Sequence, residues 1–143
     1  MGAIKLLLDE EYFEEKFKKS MKGIGFDLQN SMQDKLTQEH GKDTGELQSS
    51  ITYKIQGELI NFEMAEHAPY LEWGTPPHFP PPEELEGWVK RKLGANDEKE
   101  RKRLAYLLAY SISRRGTRPY PFIRPTFYNE GSDIVVRNFK FSF

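Results

Sequence analysis

The 143-residue chain contains no cysteine. This absence excludes a disulfide framework, thiolate metal ligands and a cysteine nucleophile, and it fits a reducing compartment. The chain also lacks a long hydrophobic run, because the apolar stretch Ile4–Leu8 contains Lys5 and is followed at once by three acidic residues. That pattern is unlike a signal peptide or a membrane span. We therefore expect a soluble intracellular protein with no membrane partner.

The sequence signatures of common catalytic sites are absent as well. There is no GxSxG elbow, no GxxxxGK[ST] phosphate loop and no GxGxxG turn. His67, Glu72 and His78 are residue types that bind zinc, but their spacing does not match a helical metal-binding pair. We predict no catalytic, cofactor-binding or metal site, and a protein that is not an enzyme.

The net charge of −1 hides a difference between the two halves of the chain. Residues 1–75 hold 8 basic and 14 acidic residues, a net charge of −6, whereas residues 76–143 hold 13 and 8, a net charge of +5. If folding keeps these halves apart, copies of the chain can pack acidic face to basic face. A ring of identical subunits requires such a head-to-tail contact.

Helical spacing of the apolar residues predicts three helices. The first is a long amphipathic helix from Asp9 to about residue 39. Two glycines interrupt it, and their low helix propensity allows a kink or a break near Gly23. The other two are predicted at Glu83–Leu93, ending at Gly94, and at Asp97–Ser113.

Alternating apolar residues predict strands at 51–55 and 59–64, which form a hairpin with one buried face. Residues 126–137 favour helix at one end and extension at the other. The tail, in which Phe139, Phe141 and Phe143 alternate with polar residues, predicts a terminal strand. The result is one α+β domain over residues 1–143: a small antiparallel sheet packed against a long N-terminal helix and two further helices. Residues 1–8 and 129–143 are expected as extended arms that contact neighbouring subunits.

Two stretches, residues 70–75 and residues 118–125, combine aromatic rings, charges and residues that restrict the backbone. This combination suits a rigid contact surface. Trp73 and Phe122 are equally compatible with the core. A carboxylate among aromatics predicts that Glu72 pairs with an arginine of the second stretch, within one subunit or between two. The predicted assembly interface or latch consists of Tyr70, Leu71, Glu72, Trp73, Gly74, Thr75, Arg118, Pro119, Phe122, Arg124 and Pro125.

Basic residues in the second half are spaced so that they can line a path for a phosphate backbone. The pI of about 6.3 argues against a dedicated nucleic-acid binder, for which a domain pI above about 9 is expected. The alternatives are a nucleic-acid-binding module using residues 83–115, or transient contact with DNA that passes through a ring. The candidate DNA-facing residues are Lys90, Arg91, Lys92, Arg101, Lys102, Arg103, Arg114 and Arg115.

Three segments in order resemble the head-to-tail joining proteins, the neck or tail-completion family, of long-tailed bacteriophages and prophages. That family's pattern is a TGxLxxSI entry to a strand, a YxExGT segment with an aromatic beside the glycine, and a late PFxRP segment. The matching positions are Thr44–Ile51, Ala68–Thr75 and Arg118–Pro125. The chain departs from the pattern at Trp73, where Phe is more usual, and in its tail, where the family more often finishes in an amphipathic helix.

The resemblance implies a non-enzymatic virion protein made in the host cytoplasm and located in the neck, at the head-tail interface. It implies a homo-oligomeric ring, a hexamer or a dodecamer, around the DNA channel. The implied partners are the connector or portal-side proteins, the tail-side proteins and, transiently, genomic DNA.

Overall fold

The computed structural model describes residues 9–37 and 45–142. Expectations for residues 1–8, for the end of the first helix near residue 39, for Thr44 and for Phe143 lie outside the described residues. The α+β prediction is confirmed by a long N-terminal helix and a two-stranded antiparallel sheet. In order, the elements are α1 (Glu10–Leu36), α2 (Glu46–Ser50), β1 (Thr52–Gln56), β2 (Leu59–Glu63), α3 (Ala68–Trp73), α4 (Pro82–Leu93), α5 (Glu98–Arg115), α6 (Ile123–Pro125), a π-helical turn (Thr126–Glu130) and α7 (Gly131–Ser142).

Helix α1 begins where its sequence predicts. The side chain of Asp9 accepts a hydrogen bond from the backbone N–H of Tyr12 at 3.0 Å, and acidic residues occupy the positive end of the helix dipole. The helix then runs without interruption to Leu36, so the predicted break near Gly23 is wrong.

The glycines of α1 serve close packing. A Cβ at Gly25 would lie 2.6 Å from the ring of Tyr53, whose hydroxyl donates to the carbonyl of Lys22 at 3.3 Å. A Cβ at Gly23 would overlap the side-chain amide of Asn138. The two positions therefore admit β1 and α7 to the helix surface, and packing outweighs the low helix propensity of glycine.

The hairpin forms in the predicted place. Gln56 pairs with Leu59 at its end, and Gly57 takes the left-handed conformation that the turn requires. Ile60 and Phe62 are half-buried while their neighbours in β2 are exposed, so one face of the hairpin covers α1.

The C-terminal segment is helical from Ile123 to Ser142, so the predicted terminal strand and extended arm are wrong for the described residues 129–142. Ile134 and Asn138, four residues apart, both face α1: Ile134 is buried with Ile24 and Leu28, while Asn138 donates to Asp27 at 2.9 Å. This helical spacing and the partner surface decide the conformation over the alternating phenylalanines.

The π-helical turn is anchored to α1. The Ser31 hydroxyl donates to the carboxylate of Glu130 at 2.7 Å, and Lys35 pairs with the same oxygen. Thr126, fully buried, donates to the carbonyl of Phe122 at 2.8 Å. The start of the C-terminal helical segment is therefore held in register with the C-terminal half of α1.

Helices α4 and α5 form a hairpin with a buried cluster of its own. Val89, Ala95 and Ala105 are its buried members, and leucines of both helices surround them. Gly94 ends α4 in the left-handed conformation and Asp97 caps α5, which confirms both predicted helices to within two residues. Within the described residues, no helix is both long and apolar enough to cross a membrane.

Gly25→Ala is expected to lower the free energy of unfolding, because overpacking of the contact with Tyr53 costs about 1–3 kcal/mol and outweighs the gain in helix propensity of up to about 1 kcal/mol. Gly87→Ala in α4 is the matched control: its Cβ meets only the end of the exposed Arg91 side chain, and it should raise stability by up to about 1 kcal/mol. Urea denaturation of both variants measures the difference. A Gly25→Ala variant as stable as Gly87→Ala would contradict the packing role.

Candidate interaction site

The two stretches singled out in the sequence meet in the fold. The N–H of Tyr120 donates to the carbonyl of Leu71 at 2.7 Å. Thr75 and Thr117 form an isolated antiparallel bridge, with backbone hydrogen bonds of 3.2 and 3.0 Å and hydroxyl groups 2.8 Å apart. Residues 70–75 and 117–125 therefore form one unit, called here the junction.

The carboxylate of Glu72 lies at the centre of the junction, and the residue is 2% exposed. One of its oxygens accepts the N–H groups of Phe122 at 2.7 Å and Ile123 at 2.9 Å. The other accepts the N–H of Arg124 at 2.8 Å and its side-chain Nε at 3.0 Å. The Arg124 guanidinium also donates to the Glu72 carbonyl at 2.8 Å. The sequence left open whether this pair joins one subunit or two, and the structure places it within one chain.

Glu72 caps the helical segment that starts at Ile123. The first N–H groups of a helix have no acceptor inside the helix. Here Phe122, Ile123 and Arg124 donate theirs to Glu72, and the next residue, Pro125, has no N–H to satisfy. A single carboxylate from α3 thus accepts every N–H of this helix start, where the helix dipole also favours a negative charge.

Two opposing effects set the pKa of Glu72. Burial alone would raise it, because the charged form loses its hydration. The backbone N–H groups of Ile123, Arg124 and Phe122 and the Arg124 side chain outweigh burial and hold the pKa below its ordinary value of 4.5. Both oxygens are occupied, so this carboxylate is a structural cap and has no free lone pair directed at a substrate.

Two glycines let the backbones of the junction cross closely. Gly74 has φ 71° and ψ −178°, a conformation that is almost exclusive to glycine. A Cβ there would lie 2.5 Å from the carbonyl oxygen of Thr117, and a Cβ at Gly116 would overlap the carbonyl of Thr75. The dipeptide Gly-Thr occurs at residues 74–75 and again at residues 116–117, just before the second stretch, and this repeat is the signal in the sequence from which the crossing could have been predicted.

The junction sorts its aromatic residues into core and surface. Phe122 is fully buried and packs with Met32 and Leu36 of α1, whereas Trp73 and Tyr70 are each 64% exposed. The guanidinium of Arg124 stacks 3.9 Å from the centre of the Trp73 ring. Of the two residues that the sequence left undecided, Phe122 belongs to the core and Trp73 to the surface. Arg124 therefore makes two contacts: it stacks on the exposed Trp73 ring and pairs with the Glu72 carboxylate.

An open apolar groove of about 890 Å³ lies beside the exposed rings. Its walls come from α3, the proline-rich loop 76–82 and the α4–α5 hairpin, and His78 N–H attaches the loop to α5 through the carbonyl of Ile112 at 3.4 Å. Its lining includes Tyr70, Leu71, Trp73, Leu85, Ile112 and Arg118.

The candidate DNA-facing residues do not form one basic face. Arg101 pairs with Glu86 across the hairpin, and Lys102 pairs with Glu98, four residues earlier on α5. Lys90, Arg91 and Lys92 lie at the end of α4, near the hairpin loop, with Arg103 nearby on α5. Arg114 and Arg115 lie at the other end of α5, about 18 Å along the helix at 1.5 Å per residue.

Within residues 9–37 and 45–142, no three histidine, aspartate or glutamate side chains are arranged to hold a metal ion. Of the zinc-binding residue types noted in the sequence, Glu72 is fully engaged in the junction. Comparison of the chain with protein-family models, curated proteins and solved structures finds no match.

Glu72→Gln is expected to lower the free energy of unfolding by about 2–4 kcal/mol near neutral pH, because the amide N–H₂ of Gln would face backbone donors that need an acceptor. Urea denaturation measures the change. The control is Glu66→Gln, at an exposed position, which should change stability by less than about 0.5 kcal/mol. Equal stability of the two variants would contradict the capping role.

The stabilisation by Glu72 should depend on pH. Because its pKa is lowered in the folded state, the contribution is complete above the ordinary value of 4.5 and disappears as pH falls through the folded-state pKa. The stability difference between the wild-type chain and Glu72→Gln should therefore shrink below pH 4.5. A difference that stays constant down to pH 2 would contradict this assignment.

Gly74→Ala should destabilise the chain by about 3 kcal/mol or more, because it combines a backbone conformation reserved for glycine with a backbone clash. Gly57→Ala is the control: it also has a positive φ, but a Cβ there meets nothing within 4 Å. It should cost only about 1 kcal/mol. Thermal unfolding of the pair measures what the crossing itself contributes.

Proposed function

We propose that this chain is a structural component of the head-to-tail junction of a long-tailed bacteriophage, where copies assemble as a ring around the DNA channel. The observation that carries the proposal is the junction itself. Its two stretches, which carry the second and third segments of the family resemblance, combine to hold the exposed Trp73 ring against Arg124, with the exposed ring of Tyr70 in the same stretch.

A rigid, exposed aromatic surface suits assembly. Large aromatic side chains and arginine are the residues that most often dominate the energy of protein interfaces. Their usual entropic cost is reduced when the rings are already held in place, as Arg124 holds Trp73. Both oxygens of the buried carboxylate, Glu72, are engaged by the helix start and by Arg124. The features of the junction that remain exposed are aromatic rings, which suit a protein contact.

The distribution of charge supports head-to-tail contact. Helix α1 begins with Glu10, Glu11, Glu14 and Glu15, all exposed, whereas Arg118 lies in the junction at the far end of α1. Two different surfaces of opposite sign permit a heterologous contact, which closes into a ring when the rotation between subunits allows it.

The nucleic-acid-binding alternative receives less support. Carboxylates of the same hairpin neutralise Arg101 and Lys102, and the basic groups divide between its two ends. Such a surface fits transient contact with DNA passing through a ring better than tight binding by a single chain.

Assembly of the purified chain tests the proposal. We expect ring particles in sedimentation velocity and electron microscopy that persist after nuclease treatment, alone or with connector and tail-side partners. Tyr70→Ser should weaken assembly by roughly 30-fold, corresponding to the loss of about 2 kcal/mol at an interface hot spot. Circular dichroism should show an unchanged fold, because Tyr70 is exposed.

Leu59→Ser is the matched control, because Leu59 is as exposed as Tyr70 but lies at the turn of the β-hairpin. It should assemble like the wild-type chain. A chain that stays monomeric with every neck partner, or that binds duplex DNA with steep salt dependence as a monomer, would overturn the proposal in favour of the nucleic-acid alternative.

A further inference from the structure

The groove beside the junction has the chemistry of a docking site for an apolar segment with an acidic flank. Its walls are apolar and include the exposed rings of Tyr70 and Trp73. Arg118 lies in its lining, and Arg114 and Arg115 are the last residues of α5, the helix that contributes Ile112 to the lining. Among the described residues, these three exposed arginines have no carboxylate partner.

The chain carries a segment with this complementary chemistry. Ile4–Leu8 is apolar apart from Lys5, and acidic residues follow at Asp9, Glu10 and Glu11. Glu15 adds a further exposed carboxylate on α1, and Glu14 pairs with Lys18 at 3.4 Å. The order, apolar and then acidic, matches a groove that is apolar inside and basic at its rim.

Chain geometry prevents the segment from reaching the groove wall of its own copy. The wall residue Leu71 packs against the cluster of Met32 and Leu36, and Met32 is about 35 Å from Asp9 along α1 at 1.5 Å per residue. Ile4 is five residues from Asp9, and five residues span at most about 18 Å. An occupant with this sequence must therefore come from another copy.

We infer that residues 4–8 of one copy bind in the groove of a second copy, with the acidic start of α1 against Arg114, Arg115 and Arg118. The inference rests on the proposed assembly and names its contact. Each copy offers its N-terminal segment to one neighbour and its groove to the other, so that the contact is heterologous and can close a ring.

Cross-linking between two variants tests the inference, and the absence of native cysteine makes every introduced thiol unique. Leu7→Cys chains and His78→Cys chains are mixed in equal amounts before assembly and treated with a short bismaleimide; His78 is an exposed residue of the groove lining. The matched control replaces His78→Cys with Leu59→Cys, at an exposed position outside the groove. Peptide mass spectrometry quantifies the mixed product.

We expect the groove pair to give about tenfold more mixed product than the control pair, because docking raises the effective concentration of the two thiols. Equal yields within assembled particles would overturn the docking inference and leave the proposed ring intact. Failure to form any particle larger than a monomer, alone or with neck partners, would overturn both. A cross-linked monomer from a single chain carrying both cysteines would also overturn the inference, because it would place the segment in its own groove.

Discussion

The interaction between the Glu72 carboxylate and the backbone N–H groups of Phe122, Ile123 and Arg124 is the constraint on which the rest of the junction depends. A buried carboxylate is costly unless donors surround it, and unsatisfied N–H groups at a buried helix start are costly unless an acceptor meets them. The N–H groups surround the carboxylate with donors, and the carboxylate gives the N–H groups their acceptor. Because they lie far apart in sequence, satisfying them also closes the fold between α3 and the C-terminal helical segment.

The junction also determines how the α4–α5 hairpin is attached. The buried cluster of the hairpin consists of its own residues, and the chain enters and leaves it through the Thr75–Thr117 bridge. The close crossing at Gly74 and Gly116 sets the distance between hairpin and body. The groove lies where these two units meet, so its width depends on the backbone contacts of the Thr75–Thr117 bridge.

Local signals in the sequence predicted local structure well. Gly94 marked the end of α4 and Asp9 marked the start of α1, because each acts through its own backbone or its nearest neighbours. The conformation of residues 131–142 was predicted wrongly, since it depends on Ile134 meeting α1 and not on the alternating pattern alone. The pairing of Glu72 with an arginine was foreseen, but its location within one chain depends on a contact between distant segments.

Surface and core residues within the junction cannot be distinguished by residue type. Trp73 and Phe122 are both large aromatics, yet one is 64% exposed and the other fully buried, because the helix that contains Trp73 presents Glu72 to the interior instead. Successive helical residues are about 100° apart, so with Leu71 and Glu72 directed inward the Trp73 ring lies at the surface, where Arg124, already bound to the Glu72 carboxylate, lies over it. The exposed aromatic surface is therefore a direct consequence of the buried charge. The same contacts that bury the charge therefore hold an aromatic ring in place at the surface.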